Sequence, residues 1–119
     1  MPRNTRYIVV YIRELLKGST DSLLLSLLGN KPMYGYQLIK EMEQRSAGYF
    51  QFREGTLYPA LHRLEKEGLI EGKWEHASGG QERRYYYLME EGRRVLIEKA
   101  AEWQRFATAV NMIIAPIDL

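Results

Sequence analysis

Between Thr5 and Leu16 the apolar positions Ile8, Tyr11, Ile12 and Leu15 fall three or four apart, which predicts a short amphipathic helix ended by Gly18. Ser19 is placed to cap a second helix, with Asp21 in its first turn. Leu23, Leu24, Leu25, Leu27 and Leu28 leave that helix almost no polar face, so it belongs in a core. Gly29 to Pro32 closes it as a turn. A third helix opens near Tyr34 and Gly35, with Leu38, Ile39 and Met42 inward and Gln37, Lys40, Glu41 and Glu43 outward, and stops around Ala47 and Gly48. The alternation in Tyr49-Phe50-Gln51-Phe52 is too brief for a free-standing strand but suits one short strand added to a sheet formed later. From Glu54 to Glu67, Leu57, Leu61 and Leu64 repeat at i, i+4, i+7 and predict a fourth helix, which Gly68 stops.

Two β-rich runs follow, Leu69 to Trp74 and Arg83 to Leu88, and the loop with Ser78, Gly79 and Gly80 between them makes a β-hairpin with a flexible tip. Glu90 to Ile114 then reads as one helix, about 37 Å long at 1.5 Å per residue, with Pro116 as its stop. In it Leu96, Ala100, Trp103, Ala107, Val110 and Ile114 step by four, three, four, three and four, a heptad seam. Little hydrophobic body is left to cover that seam. A second copy of the chain is the simplest cover, with the N-terminal stripe of Ile8, Tyr11, Ile12 and Leu15 packing across the same interface. The expected architecture is mainly α with a small β-hairpin, an α+β winged helix-turn-helix. It divides into an N-terminal helix (1–18), a winged helix-turn-helix (19–88) and a C-terminal dimerisation helix (89–119).

Composition narrows the chemistry. At 119 residues the chain fits one domain with a modest core, and the absence of cysteine removes disulfides, thiolate zinc sites and cysteine nucleophiles. His62 and His76 are too isolated for a metal cluster. There is no Gly-rich phosphate loop, nucleophile elbow or metal-ligand spacing, so neither an enzyme nor a cofactor is expected. The apolar stretch Tyr7 to Ile12 is short and lacks a small-residue cleavage site, and no apolar run approaches a bilayer span, so a soluble cytoplasmic protein with no membrane partner is expected.

Three helices followed by a hairpin is the order in which two helices brace a third against the major groove while the hairpin tip reaches the adjacent backbone. The probing helix is Glu54 to Glu67. With its leucines turned inward, Thr56, Tyr58, Pro59, His62, Arg63 and Lys66 remain outside, offering hydroxyl, imidazole, guanidinium and ammonium donors. An amphipathic helix always displays polar residues outward, so this mixture alone does not separate a DNA reader from a solvated face. Charge points both ways. Residues 1–18 carry Arg3, Arg6, Arg13 and Lys17 against Glu14, a balance of 4 − 1 = +3, suited to phosphate contact or to an ordinary solvated face. Residues 54–88 carry five basic and six acidic residues, 5 − 6 = −1, so DNA binding there requires Glu65, Glu67, Glu71 and Glu75 to face away from the duplex.

The strings Pro32-Met33-Tyr34-Gly35-Tyr36, Glu54-Gly55-Thr56-Leu57-Tyr58-Pro59-Ala60-Leu61 and Arg63-Leu64-Glu65-Lys66-Glu67-Gly68-Leu69-Ile70 closely resemble, in order, the signature of the PadR-like regulators. The resemblance continues through Gly79-Gly80, Arg83-Arg84-Tyr85-Tyr86, Leu88 and Glu91-Gly92 and spans roughly residues 18–114. It implies a homodimeric repressor of an inverted-repeat operator in duplex DNA. Thr56, Tyr58, Arg63 and Lys66 then fall on the DNA-facing helix, Arg83 and Arg84 in the wing, and Tyr36 near DNA on the preceding helix. Gln81-Glu82, Tyr87 and Met89 depart from the family pattern, the last replacing a Thr that caps the final helix.

In the short multidrug-sensing repressors that resemble this chain, a tryptophan at the position of Trp103 stacks on flat aromatic ligands. Trp103 and Phe106 therefore stand either as the stacking surface for a planar effector or as filling for the dimer core. The competing reading of the whole chain is a winged helix used for protein contact or RNA.

Overall fold

The computed structural model describes residues 19–114. The expected helix before residue 19, its stripe of Ile8, Tyr11, Ile12 and Leu15, and the stop at Pro116 lie outside the described residues. The first described element, α1, is helical over residues 19–30. A short strand β1 (Met33–Tyr34) leads into α2 (Gly35–Arg45), then come α3 (Glu54–Lys66), the hairpin strands β2 (Ile70–His76) and β3 (Glu82–Leu88), and α4 (Glu90–Ile113).

The leucine periodicity builds the core as expected. Leu24 and Leu25 of α1, Leu38 and Met42 of α2, and Leu57, Leu61 and Leu64 of α3 are buried together with Met33, Phe52, Ile70 and Tyr86. Leu88, Val95 and Leu96 pack against the edge of this cluster and anchor the root of α4. Gly29 supplies the space for that root, since a Cβ there would stand 3.1 Å from the Leu96 side chain.

The α2 helix begins where Gln37 Oε1 accepts from the Tyr34 N–H at 3.1 Å, a local cap for a donor that the helix itself leaves unpaired. Its end is a tight knot around Ser46. The Ser46 hydroxyl donates to the Met42 carbonyl at 2.7 Å and accepts from the Phe50 N–H at 2.8 Å, while Ala47 and Gly48 turn into the left-handed region. That knot corrects one expectation: Tyr49 to Phe52 forms no strand. The Tyr49 and Phe50 amides are already committed to Ser46. The chain instead uses Phe52 as a buried plug. The third strand comes from Met33–Tyr34, in a sheet of order β1-β3-β2 with all neighbours antiparallel.

At the end of α3, Gly68 at φ +78° lets its own N–H reach the Glu65 carbonyl and the Leu69 N–H reach the Leu64 carbonyl, both at 3.0 Å, which turns the chain into the hairpin. Ile70 pairs with Leu88 and His76 with Glu82. Strand alternation then sends Arg84, Tyr86 and Leu88 to one face of the sheet and Arg83, Tyr85 and Tyr87 to the other. The molecule measures 54 × 32 × 22 Å. Its length follows from α4, whose 24 residues span about 36 Å.

Candidate nucleic-acid interface

Helix α3 presents its core leucines on one side and a continuous polar strip on the other. Thr56, Pro59, Arg63 and Lys66, spaced by three, four and three, form one exposed row, and Tyr58 and His62 form a second beside it. No residue of the first row is itself acidic. Tyr36, 58% exposed on the first turn of α2, stands with its ring 5.3 Å from the Lys40 ammonium. Tyr58 is held from the side, because its hydroxyl occupies the space a Cβ at Gly35 would need. Gly35 thus sets the close approach of α2 and α3.

Two of the acidic residues of this region, Glu65 and Glu75, are held against the hairpin. Glu65 lies against the hairpin, where Oε2 accepts from Arg84 Nη2 at 2.6 Å and from the Gly72 N–H at 3.0 Å. Glu75 sits on the opposite face of the sheet and accepts from the Tyr87 hydroxyl at 2.7 and 2.8 Å. That hydrogen bond raises the Tyr87 pKa above 10.0, whereas burial is the main cause of the upward shift at Tyr86. Glu67 and Glu71 are exposed beyond the end of α3. The net −1 of residues 54–88 is therefore not spread evenly over the helix that bears the polar row.

Three of the arginines in this region are engaged within the chain. Arg63 is ion-paired with Asp21 of α1. Arg83 donates to the Tyr34 hydroxyl at 2.7 Å and lies 4.4 Å from the centre of that ring. Arg84 pairs with Glu65 and lies between the rings of Trp74 and Tyr86, at 5.9 and 5.8 Å. Sequence reading brought Arg83 and Arg84 forward as a pair, but strand alternation places them on opposite faces. It missed Lys73, exposed on β2 with its ammonium 5.1 Å from the Tyr87 ring, and it missed the glycine at 72 that admits Arg84. The alternating pattern of β2 could have exposed the first; the second depends on a contact with α3 that no local pattern carries.

On α4 the seam residues emerge from the body one after another. Leu96 is packed at the root, Ala107 and Val110 are half-buried, and Ala100 and Ile114 are exposed. Trp103 and Phe106 are each more than half exposed, with ring centres 5.6 Å apart and planes inclined by 31°. Among the described residues no helix is long and apolar enough to cross a membrane, and no group of acidic and histidine side chains could hold a metal ion.

The family model described as the transcriptional regulator PadR-like family matches residues 24–98, from the core of α1 through the root of α4. The chain belongs to the PadR-like family. As a PadR-like protein it is a DNA-binding transcription regulator of winged-helix build. A PadR-like transcriptional regulator from Bacillus cereus is 32% identical, with a TM-score of 0.79 over 87% of this chain and 99% of that one. A PadR family regulator from Eggerthella lenta is 32% identical, with a TM-score of 0.78 over 92% and 93% of the two chains. A transcriptional regulator of Mycobacterium tuberculosis is 28% identical over 83% of this chain and 89% of its own length.

Proposed function

We propose that two copies of the chain pair through α4 and act as a repressor, each copy setting the outer row of α3 into the major groove of an inverted-repeat operator. The observation that carries this reading is the exposed row of Thr56, Pro59, Arg63 and Lys66, whose Arg63 stays half-exposed while paired with Asp21, flanked by Tyr58, His62 and Tyr36. Its hydroxyl and cationic donors match phosphate oxygens and the acceptor-rich edges of bases in that groove. Arg84, paired with Glu65, brings the hairpin beside it. Pairing is supported by the exposed apolar side chains of α4, from Ile97 at 65% to Ile113 at 84% exposure. In this reading residues 19–88 are the reading head and 89–119 the pairing helix, with residues 1–18 added to the interface.

Selection of bound fragments from a random duplex pool tests it. The expected product is an inverted repeat whose half-sites lie one turn of B-DNA apart, about 34 Å. Recovery of no preferred duplex sequence, or binding indifferent to salt, would favour a winged helix that contacts protein instead.

Trp103 and Phe106 support a regulatory extension of this reading. Two tilted, exposed rings on one helix face form half of a stacking surface, which a second subunit completes for a planar aromatic effector. Titrating planar cationic dyes into a Trp74→Phe variant isolates the Trp103 fluorescence, and quenching is expected. A varied panel that quenches nothing would leave both rings as interface packing.

A further inference from the structure

The pairing of Arg84 with Glu65 bears directly on how the hairpin is aimed. One carboxylate oxygen, Glu65 Oε2, receives both Arg84 Nη2 from β3 and the backbone N–H of Gly72 from β2, at 2.6 and 3.0 Å. A single acceptor on the last turns of α3 therefore holds both strands of the hairpin at once. Gly72 is what permits it: a Cβ there would stand 2.5 Å from Arg84 Nε and 2.7 Å from Cζ, within the volume that the guanidinium fills. The Arg84 and Glu65 side chains keep only 32% and 29% of their exposure, and the guanidinium is flanked by the Trp74 and Tyr86 rings. A cation so enclosed, with its charge already met, has little left to offer a phosphate.

We infer that Glu65, Gly72 and Arg84 form a latch fixing the hairpin to the reading helix, so that Arg84 is a positioning residue and not a phosphate ligand. This rests on the reading of α3 as the DNA probe. The two roles give opposite signs for Glu65. Were Arg84 a phosphate ligand, removing the carboxylate would free it and strengthen binding. For a latch, removing the carboxylate lets the hairpin swing and weakens binding.

Full-length Glu65→Gln, Arg84→Gln and the double variant test the latch. Without DNA, amide exchange at Gly72 is expected to accelerate about tenfold or more in each single variant and no further in the double, as one shared bond network requires. On a duplex recovered by the selection above, Glu65→Gln and Arg84→Gln are each expected to lose about tenfold in affinity. The dependence of log affinity on log salt should keep its wild-type slope. Far-UV circular dichroism establishes that the variants are folded, and Glu65→Gln, which preserves shape, serves if Arg84→Gln is not. Tighter binding by Glu65→Gln overturns the inference, as does a slope reduced by about 1.8 in Arg84→Gln, the amount released when each of the two copies loses one phosphate contact. Unchanged Gly72 exchange in both single variants overturns it without reference to DNA. Failure of the wild-type protein to select any duplex, with exchange at Gly72 accelerated as expected, instead removes the DNA-reading assignment of α3.

Discussion

A methyl group added at Gly92 would collide with the carbonyl oxygen of Leu69 and press on the Leu88 side chain, at the joint where α4 leaves the body. Backbone atoms cannot step aside as a flexible side chain can. Gly92→Ala is therefore expected to cost about 1–3 kcal/mol of stability, read as a lower urea midpoint at unchanged slope. Three residues earlier, Met89 occupies the N-cap of α4 without a side-chain hydrogen bond to the helix. Met89→Thr supplies the missing acceptor and should add about 0.5–1 kcal/mol in the same measurement. Tyr86 gives a pH signature. Its pKa is raised, chiefly by burial, so the neutral phenol is favoured in the folded state. Its contribution is fully present below pH 10.0, the ordinary value, and is lost as pH rises through the higher folded value. Melting curves across that alkaline range should show the decline, and Tyr86→Phe should blunt it.

The residue scale is also where sequence reading was least complete. The missing cap at Met89 was legible through the resemblance, as a Met standing where the family carries a capping Thr. The partners of Arg63 and Arg84 were not: Asp21 lies 42 positions from Arg63 and Glu65 lies 19 from Arg84. No helical or strand period links such positions. The outward placement of Arg63 on its helix was readable, and the engagement of both arginines was not.

Elements were legible where leucine spacing was long and regular. The ranges of α2, α3, both hairpin strands and α4 fall within a residue or two of those read from periodicity. The strand expected at Tyr49 to Phe52 failed because four alternating residues are too few to decide, and the local hydrogen bonds of Ser46 outweighed them. Met33–Tyr34 was missed because two residues carry no period; the strand exists only through its pairing with Tyr85 and Tyr86. Within α3, Pro59 breaks a rule that the sequence showed openly. It lies inside the helix and cannot donate to the Gly55 carbonyl four residues back. An interior proline costs about 3 kcal/mol, offset by about 1 kcal/mol from its stiffening of the unfolded chain, so Pro59→Ala should gain about 2 kcal/mol in urea denaturation. Such a stabilised variant should bind its selected duplex less well, since Pro59 stands in the middle of the outer row. Unaltered affinity would assign the proline no part in reading.

For the whole molecule the heptad spacing of α4 was the informative pattern, because it marked apolar positions that the body of one chain leaves uncovered. Val110→Glu puts a charge on that seam at a half-buried position. Sedimentation at micromolar concentration should show wild-type pairs and variant single chains, and gel-shift titration should show specific duplex binding abolished in the variant. Equal affinity of the two for the selected duplex would detach recognition from pairing.

The joint at Gly92 has a mechanical consequence as well. A rod about 36 Å long, held among the described residues near its first turns by Leu69, Val95 and Leu96, is a lever with its fulcrum beside the hairpin. A tilt of about 10° at the fulcrum carries the free tip about 6 Å, because displacement grows with arm length. Displacement at the far end and the angle of the hairpin at the fulcrum are thereby tied to each other through one rigid helix.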